Sequence, residues 1–184
     1  MSLLETLLDA GDGAVVREIA QGLGLCEDDA RDAVRRLAPA LSRGISRNAR
    51  KPGGLEALMA ALGSGNHQRY VDRPELLTEQ DTVADGNAIL GHVFGSKDVS
   101  RNVAGHVARE TGLDSGLLKK MLPMLAAAAM GALGRQTSGE GALSRLNERT
   151  GTDPGLVGML ETFLDADRDG AVVDDVLSLA RKLF

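Results

Sequence analysis

The sequence predicts an all-α protein, and three observations carry that prediction. Apolar residues recur at helical spacing between Gly and Pro stops, and no run shows convincing strand alternation. The 184 residues include no Trp, one Tyr and three Phe, so the core must be built from Leu, Val, Ala and Met, which suit closely packed helices. A segment near the N-terminus is echoed in the second half of the chain, which marks an internal repeat.

Helices are expected at 3–9, 14–22, 27–42, 54–62, 81–94, 98–110, 115–133, 141–149, 154–164 and 172–183. Gly24 and Gly112 follow apolar-periodic runs and can take the left-handed conformation that closes a helix. Glu27, Asp28 and Asp29 open the long third helix, where carboxylates favour the positive end of the helix dipole. After Gly95, Asp98 or Ser100 can cap the next helix. The small residues Ala126, Ala127, Ala128, Ala129 and Gly131 let a neighbouring backbone come close. Asp153 before Pro154 is an N-cap and first-turn pair, because the donor that proline lacks has no partner there anyway.

The repeat is read from order and spacing. Val15 to Leu25 parallels Val103 to Leu113, and each copy leads into a long helix with an internal proline, Pro39 or Pro123. Gly24 to Pro39 is 15 residues and Gly112 to Pro123 is 11, a difference of about one helical turn that keeps the same face inward. The expected organisation is a first helical repeat at 1–65, a connector at 66–85, and a second repeat at 86–184 ending in an acidic loop and helix.

Composition narrows the function classes. The net charge of −5 draws the whole protein to neither DNA nor anionic lipid. Few aromatic residues leave no stacking platforms for single-stranded nucleic acid. Cys26 is the single cysteine, which excludes an internal disulfide and fits the reducing cytoplasm. Residues 1–20 carry Glu5, Asp9, Asp12 and Glu18 with no basic opening, unlike a secretory signal. The uncharged run from Met121 to Gly134 is short for a bilayer and holds Pro123, so it reads as a buried helix rather than a membrane span.

Three constellations could carry chemistry. Ile19, Ala20, Leu23, Gly24, Leu25, Ala30 and Ala33 fit a helix-turn-helix pattern, as do Val107, Ala108, Gly112, Leu113, Leu118 and Met121. A DNA-reading helix needs long polar and cationic side chains at its start. The acidic opening at Glu27 contradicts that, so the pattern is read as packing. A basic stretch follows, with Arg31, Arg35, Arg36, Arg43, Arg47, Arg50 and Lys51. It reads as a solvated helix face, or as a grip on an acidic partner.

The second constellation is Asp165-Ala166-Asp167-Arg168-Asp169-Gly170. Carboxylates at alternate positions before a turning Gly open a calcium loop. The twelfth position is Val176 rather than Glu, so Asp174 would have to close it. The candidate calcium ligands are Asp165, Asp167, Asp169 and Asp174, and the competing reading is an acidic turn that caps the last helix. Third, His106 and Glu110 stand four apart on one helix face, but His67 and His92 supply no evident third ligand. No nucleophile elbow, phosphate loop, dinucleotide fingerprint or zinc-protease motif is present. No catalytic residue or organic cofactor is expected.

The run Asp85-Gly86-Asn87-Ala88-Ile89-Leu90-Gly91-His92-Val93-Phe94-Gly95-Ser96-Lys97-Asp98-Val99-Ser100 resembles a bacterial domain of unknown function related to YidB. Thr111 to Asp114, Met121 to Leu125 and Leu164 to Gly170 resemble it too. The resemblance covers essentially the whole chain and is most specific at Ile89 to Lys97. It implies a bacterial protein of multihelical, YidB-like fold and carries no activity or catalytic residue. The expectation is a non-enzymatic interaction or scaffold protein of the bacterial cytoplasm, with a protein partner or self-association. The alternative is a nucleic-acid-associated regulator using residues 31–51.

Overall fold

Ser2 opens the first helix with a reciprocal cap. Its hydroxyl accepts the Glu5 N–H at 3.3 Å, while its own N–H donates to the Glu5 carboxylate at 2.8 Å. The computed structural model describes residues 2–138, apart from the side chains of residues 55, 64 and 136–138. In order these residues form α1 (Leu3–Asp9), α2 (Ala14–Leu23), α3 (Glu27–Ala49), α4 (Gly54–Ser64) and α5 (Arg69–Asp72). A 3-10 turn at Pro74–Thr78 then leads into α6 (Gln80–Phe94), α7 (Lys97–Thr111) and α8 (Ser115–Ser138). No strand occurs among the described residues, so the fold class is all-α. The helices expected at 141–149, 154–164 and 172–183 lie outside the described residues.

Glycine and capping chemistry set the boundaries. Gly24 (φ 67°) and Gly112 (φ 76°) are both left-handed and end α2 and α7. At the first, the Leu25 N–H reaches back to the Ala20 carbonyl at 2.9 Å. The start of α7 differs from expectation, because Ser96 caps it rather than Asp98 or Ser100. Ser96 is extended directly after left-handed Gly95, and its hydroxyl accepts the Val99 N–H at 3.3 Å. Asp114 starts α8 by accepting the Gly116 and Leu117 N–H groups at 2.9 and 3.1 Å.

Two helices run further than their local pattern suggests. α3 continues past residue 42 to Ala49, through both Pro39 and Gly44. A Cβ at Gly44 would lie 2.4 Å from a methyl of Val93, so the bare Cα is where α6 presses against α3. α8 continues past residue 133 to Ser138 and also contains a proline, Pro123. Gly24 and Gly112 are thus each followed by a long helix with an internal proline.

α8 is the hub of the core. It packs against all seven other helices and the 3-10 turn. Every residue from Met121 to Gly134 is buried, which leaves that stretch no solvent face. A helix apolar on all sides belongs in a core or a membrane. Ser115–Arg135 is long and apolar enough to cross a bilayer, but 78% of its apolar window is covered by other helices. It is the core helix of this fold. The segment 66–85 contributes to the same core, with Tyr70, Val71 and Leu77 all buried.

Two buried side-chain polar atoms lack a hydrogen-bond partner among the described residues, Arg69 Nε and Ser42 Oγ. Ser42 is fully buried on α3, and its hydroxyl oxygen has no hydrogen-bond partner. A buried unpaired hydroxyl costs about 1–3 kcal/mol. Ser42→Ala is therefore expected to stabilise the protein by about 1 kcal/mol, raising Tm by about 2–4 °C. A thermal melt showing no gain would mean that the hydroxyl has found a partner in solution.

Candidate functional site

The basic stretch is organised by the helix that carries it. Arg36, Arg43 and Arg47 are spaced by seven and four residues, so they share one exposed face of α3, and exposed Arg50 caps its end. Ala33, Leu37, Leu41 and Ile45 on the other side are buried. The acidic opening partly neutralises the stretch. Glu27 pairs with Arg31 at 2.9 Å, and Asp32 pairs with Arg36 at 3.2 Å. Glu27, Asp28 and Asp29 are themselves exposed, so carboxylates face solvent at the helix start.

α7 lies beside that face and closes a groove of about 470 Å³. Its floor is apolar, from Pro39 and Ala40 on α3 and Val99 and Val103 on α7. Val99 is 40% exposed, the one large hydrophobic side chain left open among the described residues. Arg36, Arg43, His106 and Glu110 edge the groove. Glu110 bonds Arg36 at 2.9 Å across the two helices, and it also meets His106 at 3.1 Å. Its hydrogen bond, followed by that of Asp32, pushes the Arg36 guanidinium above its ordinary pKa, so Arg36 stays charged.

The candidates read from the sequence fall into place unevenly. His106 and Glu110 do meet, as four-residue spacing implies, but their neighbour is Arg36, a cation that opposes a metal ion. His67 lies beside Tyr70, and His92 is exposed on α6. Among the described residues no three His, Cys, Asp or Glu side chains converge. Asp165, Asp167, Asp169 and Asp174, the calcium candidates, lie outside the described residues. In the second helix-turn-helix pattern the following helix is α8, whose residues 121–134 are all buried in the core. Sequence reasoning missed the floor of the groove. The signal was the ridge Val99, Val103 and Val107 at four-residue spacing, of which only Val107 is buried.

A second polar cluster ties α5 to α6. The Tyr70 hydroxyl donates to the Asp85 carboxylate, and Arg69 donates to both, at 2.6 Å to the hydroxyl and 3.2 Å to the carboxylate. The Arg69 guanidinium also lies over the Tyr70 ring, 4.7 Å from its centre. Burial, reinforced by Asp85, raises the Tyr70 pKa, so the phenol stays a donor. Burial holds the His67 imidazole below its ordinary pKa, with Asp85 pulling the other way. On the same short helix, Asp72 pairs with Arg135 of α8. These contacts make a clasp that holds the 66–85 segment on the core.

Asp85 and Gly86 begin the run that carries the likeness to a bacterial domain of unknown function, and both have a structural role. Asp85 anchors the clasp. Gly86 is the point where α6 meets α8, since a Cβ there would lie 2.0 Å from the Pro123 carbonyl oxygen. No curated protein and no solved structure matches the chain. The family described as a bacterial protein of unknown function (DUF937) matches residues 5–136, a span that includes both long helices, the clasp and the groove. The chain belongs to that bacterial family, DUF937.

Proposed function

We propose that this domain is a non-enzymatic protein-interaction module of the bacterial cytoplasm, and that it docks a partner's helix in the groove between α3 and α7. The observation that carries this reading is the 40% exposure of Val99 over an apolar floor. Elsewhere among the described residues the fold covers its large aliphatic side chains, so an uncovered apolar strip between two helices is where a third helix gains burial. The grooved face is built on α3 and α7, both held by the buried α8, so it is presented rigidly. Rigid presentation lowers the ordering cost of binding. The free Cys26 agrees with a reducing compartment.

The test is a photo-reactive amino acid placed at Val99 in cells, with Arg101, exposed on the same helix, as the control. Position 99 is expected to form a discrete adduct that position 101 does not, and Ala40→Trp should abolish it by filling the floor. The cross-linked segment of the partner, once purified, should bind the domain and compete with the adduct. A dimer adduct would instead identify a second copy of this chain as the occupant. Equal labelling at both positions, or an adduct indifferent to Ala40→Trp, would sink the reading.

A nucleic-acid reading has one observation in its favour, the exposed arginines of α3. The carboxylates at the start of that helix and the apolar floor beside it both weigh against phosphate as the partner.

A further inference from the structure

We infer that the groove takes an acidic amphipathic helix, and that a carboxylate of this helix replaces Glu110 at Arg36. The inference rests on the reading of the groove as a docking site and adds the chemistry of its occupant. The chain as a whole is acidic, at −5, yet two arginines of α3, Arg36 and Arg43, line the groove against one carboxylate, Glu110. This cationic edge on an acidic protein is a local feature, and it borders the apolar floor. An occupant with aliphatic side chains on one face and carboxylates beside them would satisfy floor and cationic edge together. A nucleic acid would satisfy only the cationic edge.

Glu110 is the part of the groove that mimics such an occupant. It reaches from α7 to Arg36 on α3, 74 residues away in sequence, and closes one end of the cleft with a carboxylate. Both partners are 40% exposed, so the pair is accessible to competition from solvent. An incoming carboxylate that pairs with Arg36 would release Glu110 toward His106, which it already contacts. Asp32 pairs with Arg36 from within the same helix and is not displaced. Glu110 therefore weakens binding in the resting protein, and its removal should tighten it. A merely structural ion pair predicts no such gain.

The experiment uses the full chain and fluorescence anisotropy with labelled 18-residue probe peptides. One has a leucine stripe flanked by glutamates, a second has glutamine in place of each glutamate, and a 20-base-pair DNA duplex is the third probe. The acidic peptide should bind about tenfold more tightly than the glutamine peptide at low salt, and the gap should shrink as salt rises. Glu110→Gln should tighten the acidic peptide about threefold and leave the glutamine peptide unchanged. Arg36→Gln should remove most of the preference. Each variant is checked for native helicity, and Glu110→Asp, which keeps the charge, should restore the resting affinity.

If the two peptides bind equally and Ala40→Trp blocks both, the acidic assignment is overturned while the docking groove stands. If neither peptide responds to Ala40→Trp, the groove reading itself fails. Duplex binding stronger than that of either peptide overturns both in favour of a nucleic acid.

Discussion

Gly86→Val is expected to destabilise the protein by about 3 kcal/mol or more, enough to leave a marginal domain largely unfolded. A Cβ at this position would sit 2.0 Å from the Pro123 carbonyl oxygen and 2.5 Å from its carbon. Both are backbone atoms of the core helix, so no side chain can rotate away and relieve the clash. Either α6 withdraws from α8 or α8 bends, and each choice opens a close backbone contact in the interior. Gly91 is the internal control, because it lies in the same helix, is exposed, and has no atom within 4 Å of where a Cβ would stand. Gly91→Ala should stabilise by about 0.5–1 kcal/mol through helix propensity alone. Urea unfolding of the two variants decides the matter. Equal stabilities would mean that α6 and α8 do not approach so closely in solution.

Leu125→Ala is expected to cost about 2–5 kcal/mol, the usual loss for a buried leucine whose surroundings collapse only partly. Leu125 is fully buried at the middle of α8, where helices converge from all sides. Shared packing leaves no single neighbour free to fill the void. Leu125→Met keeps most of the volume and should cost less than about 1.5 kcal/mol. Chemical denaturation with an unchanged slope would assign the loss to the native state. A loss below about 1 kcal/mol for the alanine variant would show that α8 is less central than its contacts imply.

Much of the fold was legible locally. Left-handed Gly24 and Gly112, the apolar runs before them and the alanine cluster at 126–129 each declare a helix end or a tight contact within a few residues. The run Asp85 to Ser100 was recognisable by its resemblance to a bacterial family, and the family assignment agrees. The length of α3 was not legible, because Gly44 looks like a stop until Val93 and Phe94 are seen packed against it. The polar residues around Tyr70 looked like a linker, because the partner that turns them into a clasp is Asp85 on the next long helix.

The groove separates local from long-range information most clearly. The helices, the exposed arginine face of α3 and the valine ridge of α7 were all present in the sequence, since each follows from spacing along one helix. That these two faces meet, that Val99 is left uncovered, and that Glu110 pairs with Arg36 on another helix as well as with His106 became visible only in the folded chain. The difference is one of range. Capping and periodicity act within a turn or two, whereas the contact between residues 36 and 110 depends on how every helix between them packs on α8.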